Sequence, residues 1–472
     1  MLIGREKERQ VLLDSVNEEY SQFIAVYGRR RVGKTFLIRE TFNYTFHFQF
    51  TGAANLTARK QLSRFRRALK EHGQTDTPEL KNWGDAFDEM KRYLNQLPEG
   101  KKVIFFDELP WMDAPRSSFL SELESFWNGW ASARKDIVFI VCGSSTSWIV
   151  NKIIKNKGGL HNRLNHKILL QPFTLAQCEL LAQSRGLAMS RQQILEAYMI
   201  FGGVPYYWTL LEKGASVAQE VDRLIFSPEG EMHHEFDMLY ASLFKKPEPY
   251  ISVIEHLAKK NRGMTRKELI SEGGFDDNGT LTNVLRDLEW CGFIRRYNMM
   301  GYKSKCDVFQ VVDHYTIFHL EFAQAQRKAA NFWKAILGTP RHNTWCGLAF
   351  ERVCLWHSEQ IKKKLGISGI LSSESAWRCS ACDTTGRRGA QIDLLIDRSD
   401  GIIDICEMKY SNKEYAITHD YSKELINKAE ALRDVTSTKK AIHIVMVTTE
   451  GVLHNQYWGC IQNEVVLDDL FA

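Results

Sequence analysis

The segment Gly28-Arg29-Arg30-Arg31-Val32-Gly33-Lys34-Thr35 satisfies every fixed position of the pattern G-x-x-x-x-G-K-[ST], and it follows the apolar run Phe23 to Tyr27. A strand that feeds such a turn, with a helix behind it, points to a parallel α/β sheet. The chemistry behind the pattern is concentrated negative charge. A triphosphate needs backbone N–H groups aimed inward, and glycines let the backbone approach without a Cβ in the way. The spacing predicts that Gly28 to Gly33 wrap the phosphates, that Lys34 contacts the β- and γ-phosphates, and that Thr35 holds Mg²⁺. A helix over roughly Lys34 to Phe42 presents its positive end to the same group. Glycine and arginine are common in ordinary turns too, but here strand, loop and helix fall in the order that ATP binding demands.

A second strand pattern, Val103-Ile104-Phe105-Phe106, ends in Asp107-Glu108. Alone it reads equally as a strand running into a solvated acidic turn. With a P-loop upstream, Asp107 is expected to bind Mg²⁺ through water and Glu108 to polarise the attacking water as a general base. A third strand, Asp136 to Cys142, leads into Gly143-Ser144-Ser145-Thr146-Ser147, which places Ser144 and Ser145 where a γ-phosphate sensor sits. Arg163 in Asn162-Arg163-Leu164 is the candidate cation for that phosphate, in cis or from a neighbouring molecule, although most single arginines are solvated surface groups.

At 472 residues the chain should contain about three domains at ~150 residues each. Its 44% hydrophobic and 25% charged content argues against disorder, and a net charge of +5 means that nucleic-acid binding would need a local basic patch. The opening MLIGREKERQ lacks the apolar core of a secretory signal, and no run approaches the ~18 apolar residues of a membrane span, so a cytoplasmic protein with no membrane partner is expected. Of ten cysteines only Cys379 and Cys382 lie close together, and a single C-x-x-C reads here as two unlinked thiols.

The middle of the chain reads as helical from about Thr174 to Phe244. Tyr250 to Tyr297 then suggests three helices, the second opened by Thr265 and the third spanning Thr280 to Cys291. Strands at Gly292-Phe293-Ile294 and Val308 to Val311 flank Met299-Met300-Gly301-Tyr302-Lys303, the outline of a winged helix-turn-helix. Its third helix carries only Arg286 as a cation, beside Asp287 and Glu289, which favours a structural or autoinhibitory module over a DNA reader. A more basic helix, with Arg59, Lys60, Arg64, Arg66, Arg67 and Lys70, is either a solvated face or the lining of a nucleic-acid groove.

Near the C-terminal end, GAQIDLLIDRSDGIIDICEMKY over Gly389 to Tyr410 reads as a hairpin turning about Asp400. Symmetric pairing sets Asp393 opposite Glu407, and directly opposed carboxylates repel. A divalent cation between them turns that repulsion into coordination, and Lys409, two residues beyond Glu407, shares its strand face. Asp393, Glu407 and Lys409 are thus a candidate phosphodiesterase site using Mg²⁺ or Mn²⁺, set against the simpler reading of an edge hairpin with solvated charges. Tyr421 and Lys428 are expected to help hold the phosphate backbone, and Ala441 to Thr448, after Lys439 and Lys440, to complete the sheet.

Ile3-Gly4-Arg5-Glu6, the P-loop, Phe105 to Trp111, the Gly143-Ser144-Ser145 turn and Gly202-Gly203-Val204-Pro205-Tyr206 together resemble the archaeal-type ATPases of the STAND-like branch of AAA-related proteins. The resemblance implies an ASCE-type parallel sheet and a helical lid in which Gly203 and Pro205 lie beside the nucleotide, with Pro205 touching the adenine. It also implies defence against foreign DNA as a role. The D…ExK arrangement resembles the PD-(D/E)xK nucleases, with Ile392-Asp393 in place of the usual Pro-Asp. That likeness adds Glu351, on a helix bearing Phe350, Val353, Cys354, His357 and Ile361, as a further metal ligand. These archaeal-type ATPases commonly end in such a domain.

The expected fold is a multidomain α/β chain: a P-loop core over 1–172, a helical lid over 173–245, a winged helix over 246–315, a helical linker over 316–344 and a restriction-endonuclease-like domain over 345–472. The favoured activity is ATP hydrolysis controlling a metal-dependent nuclease on nucleic acid, DNA before RNA. The alternative is an ATP-dependent DNA-binding regulator or scaffold that does not cut. AAA-like relatives form rings and STAND proteins can be monomers, which leaves a homo-oligomer open.

Overall fold

The computed structural model describes residues 2–155, 158–160, 162–300, 307–324, 331–381 and 388–472. They form two compact units, 1–172 and 173–472.

In the first unit, β1 (Gln22–Tyr27), β2 (Phe48–Thr51), β3 (Lys102–Asp107), β4 (Ile137–Gly143) and β5 (His166–Leu169) build one parallel sheet in the order β2-β3-β4-β1-β5. Strands covered on both faces read as continuous apolar runs, and β3 and β4 are buried throughout. Phe23, Phe106 and Phe139 pack on one face with Phe65 and Trp83. Ile24, Val26, Phe105 and Ile140 pack on the other with Leu37 and Ile38 of the helix Lys34–Thr41. Because all five strands run the same way, the C-terminal ends of β1, β3 and β4 lie side by side. The P-loop, Asp107-Glu108 and Ser144 follow those three ends.

The second unit opens with helices Leu175–Ser184, Arg191–Phe201, Pro205–Thr209, Val217–Val221 and Glu235–Leu243. Helices Glu248–Ala258, Arg266–Gly273 and Gly279–Trp290 follow, with a small antiparallel sheet of β6 (Met264–Thr265), β7 (Ile294–Asn298) and β8 (Asp307–Val311) in the order β6-β8-β7. The expected wing turn at Gly301-Tyr302-Lys303 and the cysteine Cys382 lie outside the described residues. Just before the wing turn, Met299 bridges Ala376, and Met300 N donates to Ala376 O at 3.1 Å.

A long helix, Pro340–Trp356, precedes a mixed sheet of β9 (Ser372–Cys379), β10 (Ala390–Arg398), β11 (Ile402–Lys409), β12 (Ala441–Thr448) and β13 (Asn463–Val465). β9, β10 and β11 are antiparallel neighbours, and β12 and β13 continue in parallel with β11. The strand over Ala441–Thr448 therefore does not finish the sheet, because β13 adds an outer edge beyond it. Leu394 pairs with Cys406 and Leu395 with Ile405, and the paired register between β10 and β11 runs from Leu394 to Asp397, ending one residue short of Asp393. Asp393 also lies within a shift of register against β9, between Ile392 and Leu395. Among the described residues no helix is long and apolar enough to cross a membrane.

Candidate functional site

At the C-terminal ends of β1, β3 and β4 the side chains interlock. Lys34, the first residue of its helix, is buried and curls back so that Nζ donates to Gly28 O at 3.0 Å, Arg29 O at 2.8 Å and Ser144 Oγ at 3.4 Å. The Thr35 hydroxyl donates to both Asp107 oxygens, at 3.2 and 3.1 Å. Ser144 N and Oγ donate to Glu108 Oε2 and Oε1, at 3.2 and 2.7 Å. The carboxylates expected from sequence are thus gathered around the lysine, with Ser144 bridging Lys34 and Glu108.

Backbone geometry explains the glycines. Gly28 has φ +143, and a Cβ there would run into the Leu170 carbonyl; Gly33 has φ +91 as it caps the helix. Arg31 and Glu108 adopt left-handed φ of 69 and 48 without being glycine, a strained conformation that clusters at functional sites. Arg29 is buried, Arg30 and Arg31 are half-buried, and Val32 packs into the core with Leu37 and Ile38.

Two residues here were given no role by the sequence reading. Cys142 Sγ donates to Asp107 Oδ1 at 2.7 Å; burial, then the Asp107 charge, pushes its thiol well above the usual value, so it stays a neutral donor. Its place one residue before the Gly143 turn, on the strand beside β3, was the available signal. Arg5 Nη2 donates to Gln171 O at 2.6 Å and Val32 O at 3.5 Å, tying the Ile3-Gly4-Arg5-Glu6 element to the P-loop.

Arg163 is a correction. It is exposed, and Asn165, two residues on, bonds Phe23 at the N-terminal end of β1. The P-loop leaves the opposite end, roughly 16 Å away at ~3.3 Å per residue, so Arg163 does not reach the phosphate site of its own chain. Pro205 opens the helix Pro205–Thr209 in the second unit, and Gly203 O accepts from Phe173 N at 2.6 Å, with no room there for a Cβ.

In the second unit Glu407 is buried, and its oxygens accept from Tyr421 Oη at 2.8 Å, Lys428 Nζ at 2.7 Å and Lys409 Nζ at 3.0 Å. Burial alone would push this carboxyl up, but the Lys428 and Lys409 ammonium groups outweigh it and hold it below the usual glutamate value. Tyr421 and Lys428, expected on a phosphate backbone, are therefore engaged with Glu407, because helix His419–Thr436 lays them over the β11 face that carries it. Asp393 is half-buried and its Oδ1 accepts from Gln391 Nε2 at 2.8 Å.

Glu351, on helix Pro340–Trp356, accepts at Oε2 from Asn261 Nδ2 at 3.0 Å. Burial, then the Asp393 charge and also that of Glu407, push its carboxyl up to about 7 against the pull of Lys409. The Asp393 and Glu407 charges thus bear on Glu351. They suit a divalent cation in kind, being all-oxygen donors, but among the described residues no three His, Cys, Asp or Glu side chains are gathered closely enough to hold a metal ion. Lysine ammonium groups meet the Glu407 charge instead.

Comparison with known proteins agrees with the P-loop geometry. Residues 2–211 match the model of an ATPase domain found predominantly in Archaea. The uncharacterized protein MJECL04 of Methanocaldococcus jannaschii is 23% identical over 409 residues, covering 84% of this chain and 84% of the relative. The Walker-type ATPase paby2304 of Pyrococcus abyssi is similar in structure, with 17% identity, a TM-score of 0.50, and coverage of 68% of this chain and 96% of its own. Over residues 2–211 the chain is thus similar to an archaeal-type P-loop ATPase domain.

Proposed function

We propose that this protein binds and hydrolyses ATP with Mg²⁺ at the ends of β1, β3 and β4, and that this activity controls a nuclease-like site on nucleic acid in the second unit. The observation carrying the first half is the bridge from Lys34 through Ser144 to Glu108. It holds the phosphate-binding cation, a sensor hydroxyl and the general base together. The backbone of Gly28 to Gly33 takes the phosphates, and Glu108 orients and deprotonates the attacking water. Thr35 and Asp107 would hold Mg²⁺, which supplies charge neutralisation on the phosphates when bound.

The second half rests on the Asp393, Glu407 and Lys409 charges that bear on Glu351. Glu407 engaged by Lys428 and Lys409 supports the alternative of a nucleic-acid-binding regulator that does not cut. The deciding experiment incubates plasmid with Mg²⁺ or Mn²⁺ and compares the intact chain with Asp393→Ala and Lys409→Ala. Metal-dependent nicking lost in both variants is the expected result; equal residual cutting by all three assigns it to a contaminant and leaves the non-cleaving reading.

A further inference from the structure

Between the winged-helix segment and the mixed sheet lies a polar cleft of about 610 Å³, lined by Arg262 on one side and by Arg378, Ser380, Gly389 and Gln391 on the other. Its size falls within the ~300–1,000 Å³ of ordinary ligand sites. Both walls lead to the acidic group. Gln391 Nε2 donates to Asp393 Oδ1 at 2.8 Å, and Asn261, next to Arg262, donates to Glu351 Oε2 at 3.0 Å. The two guanidinium groups converge on a single carboxylate. Arg378 Nη2 lies 3.3 Å and Arg262 Nη2 3.9 Å from Glu268 Oε1. The other Glu268 oxygen is held by Thr265 N at 2.6 Å and Thr265 Oγ1 at 2.9 Å, in the capping box of helix Arg266–Gly273.

Paired arginines facing an open polar cleft match the fork geometry of a phosphate. We propose that this cleft seats the phosphodiester backbone of a nucleic-acid strand, with Arg262 and Arg378 on its phosphates and Glu268 as an internal carboxylate that the phosphate displaces. The site rests on the reading of the acidic group as nuclease-like, and it gives the winged helix a role that its acidic third helix does not. The strand is held by its backbone, so recognition is independent of base sequence. Two other arginines near the cleft are committed elsewhere: Arg295 Nε donates to Gln310 Oε1 at 2.7 Å, and Arg352 Nη1 donates to Asn261 Oδ1 at 2.5 Å.

The test measures binding of a fluorescent 20-mer, single- and double-stranded, to the full chain in EDTA across a salt series. Plasmid nicking in Mn²⁺ is measured in parallel. The Arg262→Ala/Arg378→Ala variant is expected to bind at least ~10-fold more weakly, with the salt slope reduced by about one to two. Glu268→Gln keeps a capping-box residue, removes the competing charge and is expected to bind several-fold more tightly. Arg378→Lys, with an unchanged thermal midpoint, keeps the charge but not the fork, and an intermediate loss supports the site. Unchanged affinity and salt slope in the double variant, or no oligonucleotide binding by the parent chain, overturns it. Loss of binding in the double variant with no cutting by any protein keeps the site and removes the nuclease reading. Cutting and binding at parental levels in the double variant does the reverse.

Discussion

The Ser144 hydroxyl donates to Glu108 Oε1 across 2.7 Å. The two residues follow different strands, β4 and β3, and meet because parallel neighbours end at the same edge of the sheet. Ser144 also accepts from Lys34, so a ligand that draws Lys34 away changes the partners of the hydroxyl that donates to Glu108.

Glu108→Gln should bind ATP as the parent does but lose hydrolysis by about 10²-fold or more, the usual share of a general base. Ser144→Ala should keep binding within a few-fold and slow turnover by about tenfold. Phosphate release with ATP titration reads both. Parental hydrolysis by the glutamine variant removes Glu108 from the base role.

Gly28→Ala places a Cβ against the Leu170 carbonyl at a left-handed φ. The expected cost is about 1–3 kcal/mol in the first unit, together with loss of ATP affinity, since the loop must shift to relieve the clash. Thermal unfolding and nucleotide binding check it, and an undisturbed midpoint would mean that the loop relaxes freely.

Lys428→Met removes the closer of two ammonium groups on buried Glu407. Breaking a buried pair costs about 3–5 kcal/mol when the survivor is left alone; with Lys409 and Tyr421 still present, about 2 kcal/mol is expected. Denaturant unfolding measures it. Restoration by a second change, Glu407→Gln, would attribute the loss to the stranded charge.

His357 sits at the end of helix Pro340–Trp356, where Nδ1 contacts Val353 O at 2.8 Å and Nε2 accepts from Leu175 N at 2.9 Å. The ring is buried and neutral, its pKa pushed down to about 4 by burial. A histidine depressed in the fold contributes stability that is present above its unfolded value of 6.5 and is lost as pH falls through that window toward 4. The thermal midpoint should therefore drop on acidification over that range, and less steeply in His357→Gln. Parallel curves for the two proteins would refute this.

Glu351 works in the opposite direction. Its carboxyl titrates near 7 in the fold against 4.5 for a free glutamate, so the folded chain holds the extra proton between those values. Its contribution is full below about 4.5 and is lost as pH rises toward 7. Glu351→Gln should remove that slope, and a pH series of denaturant midpoints tests it.

Much of the first site is legible in local pattern, because the P-loop, the strand ending in Asp107-Glu108 and the turn at Ser144 each need only a few consecutive residues to define them. Arg163 was misplaced for its own chain because sequence proximity to β5 does not say at which end of the sheet a loop emerges. His357 on Leu175 was illegible, since it joins residues far apart in the chain, and Cys142 on Asp107 left only its place before the Gly143 turn as a signal. In the C-terminal hairpin the turn symmetry specified the register of β10 on β11, with Leu394 against Cys406 and Leu395 against Ile405, as strand register does whenever a short turn links two apolar runs. That Glu407 meets the Lys428 ammonium was decided only by helix His419–Thr436 crossing β11 and delivering that lysine. Local chemistry and periodicity are written in short segments; charge compensation in a buried site depends on which distant helix packs over it, and only the folded chain holds that information.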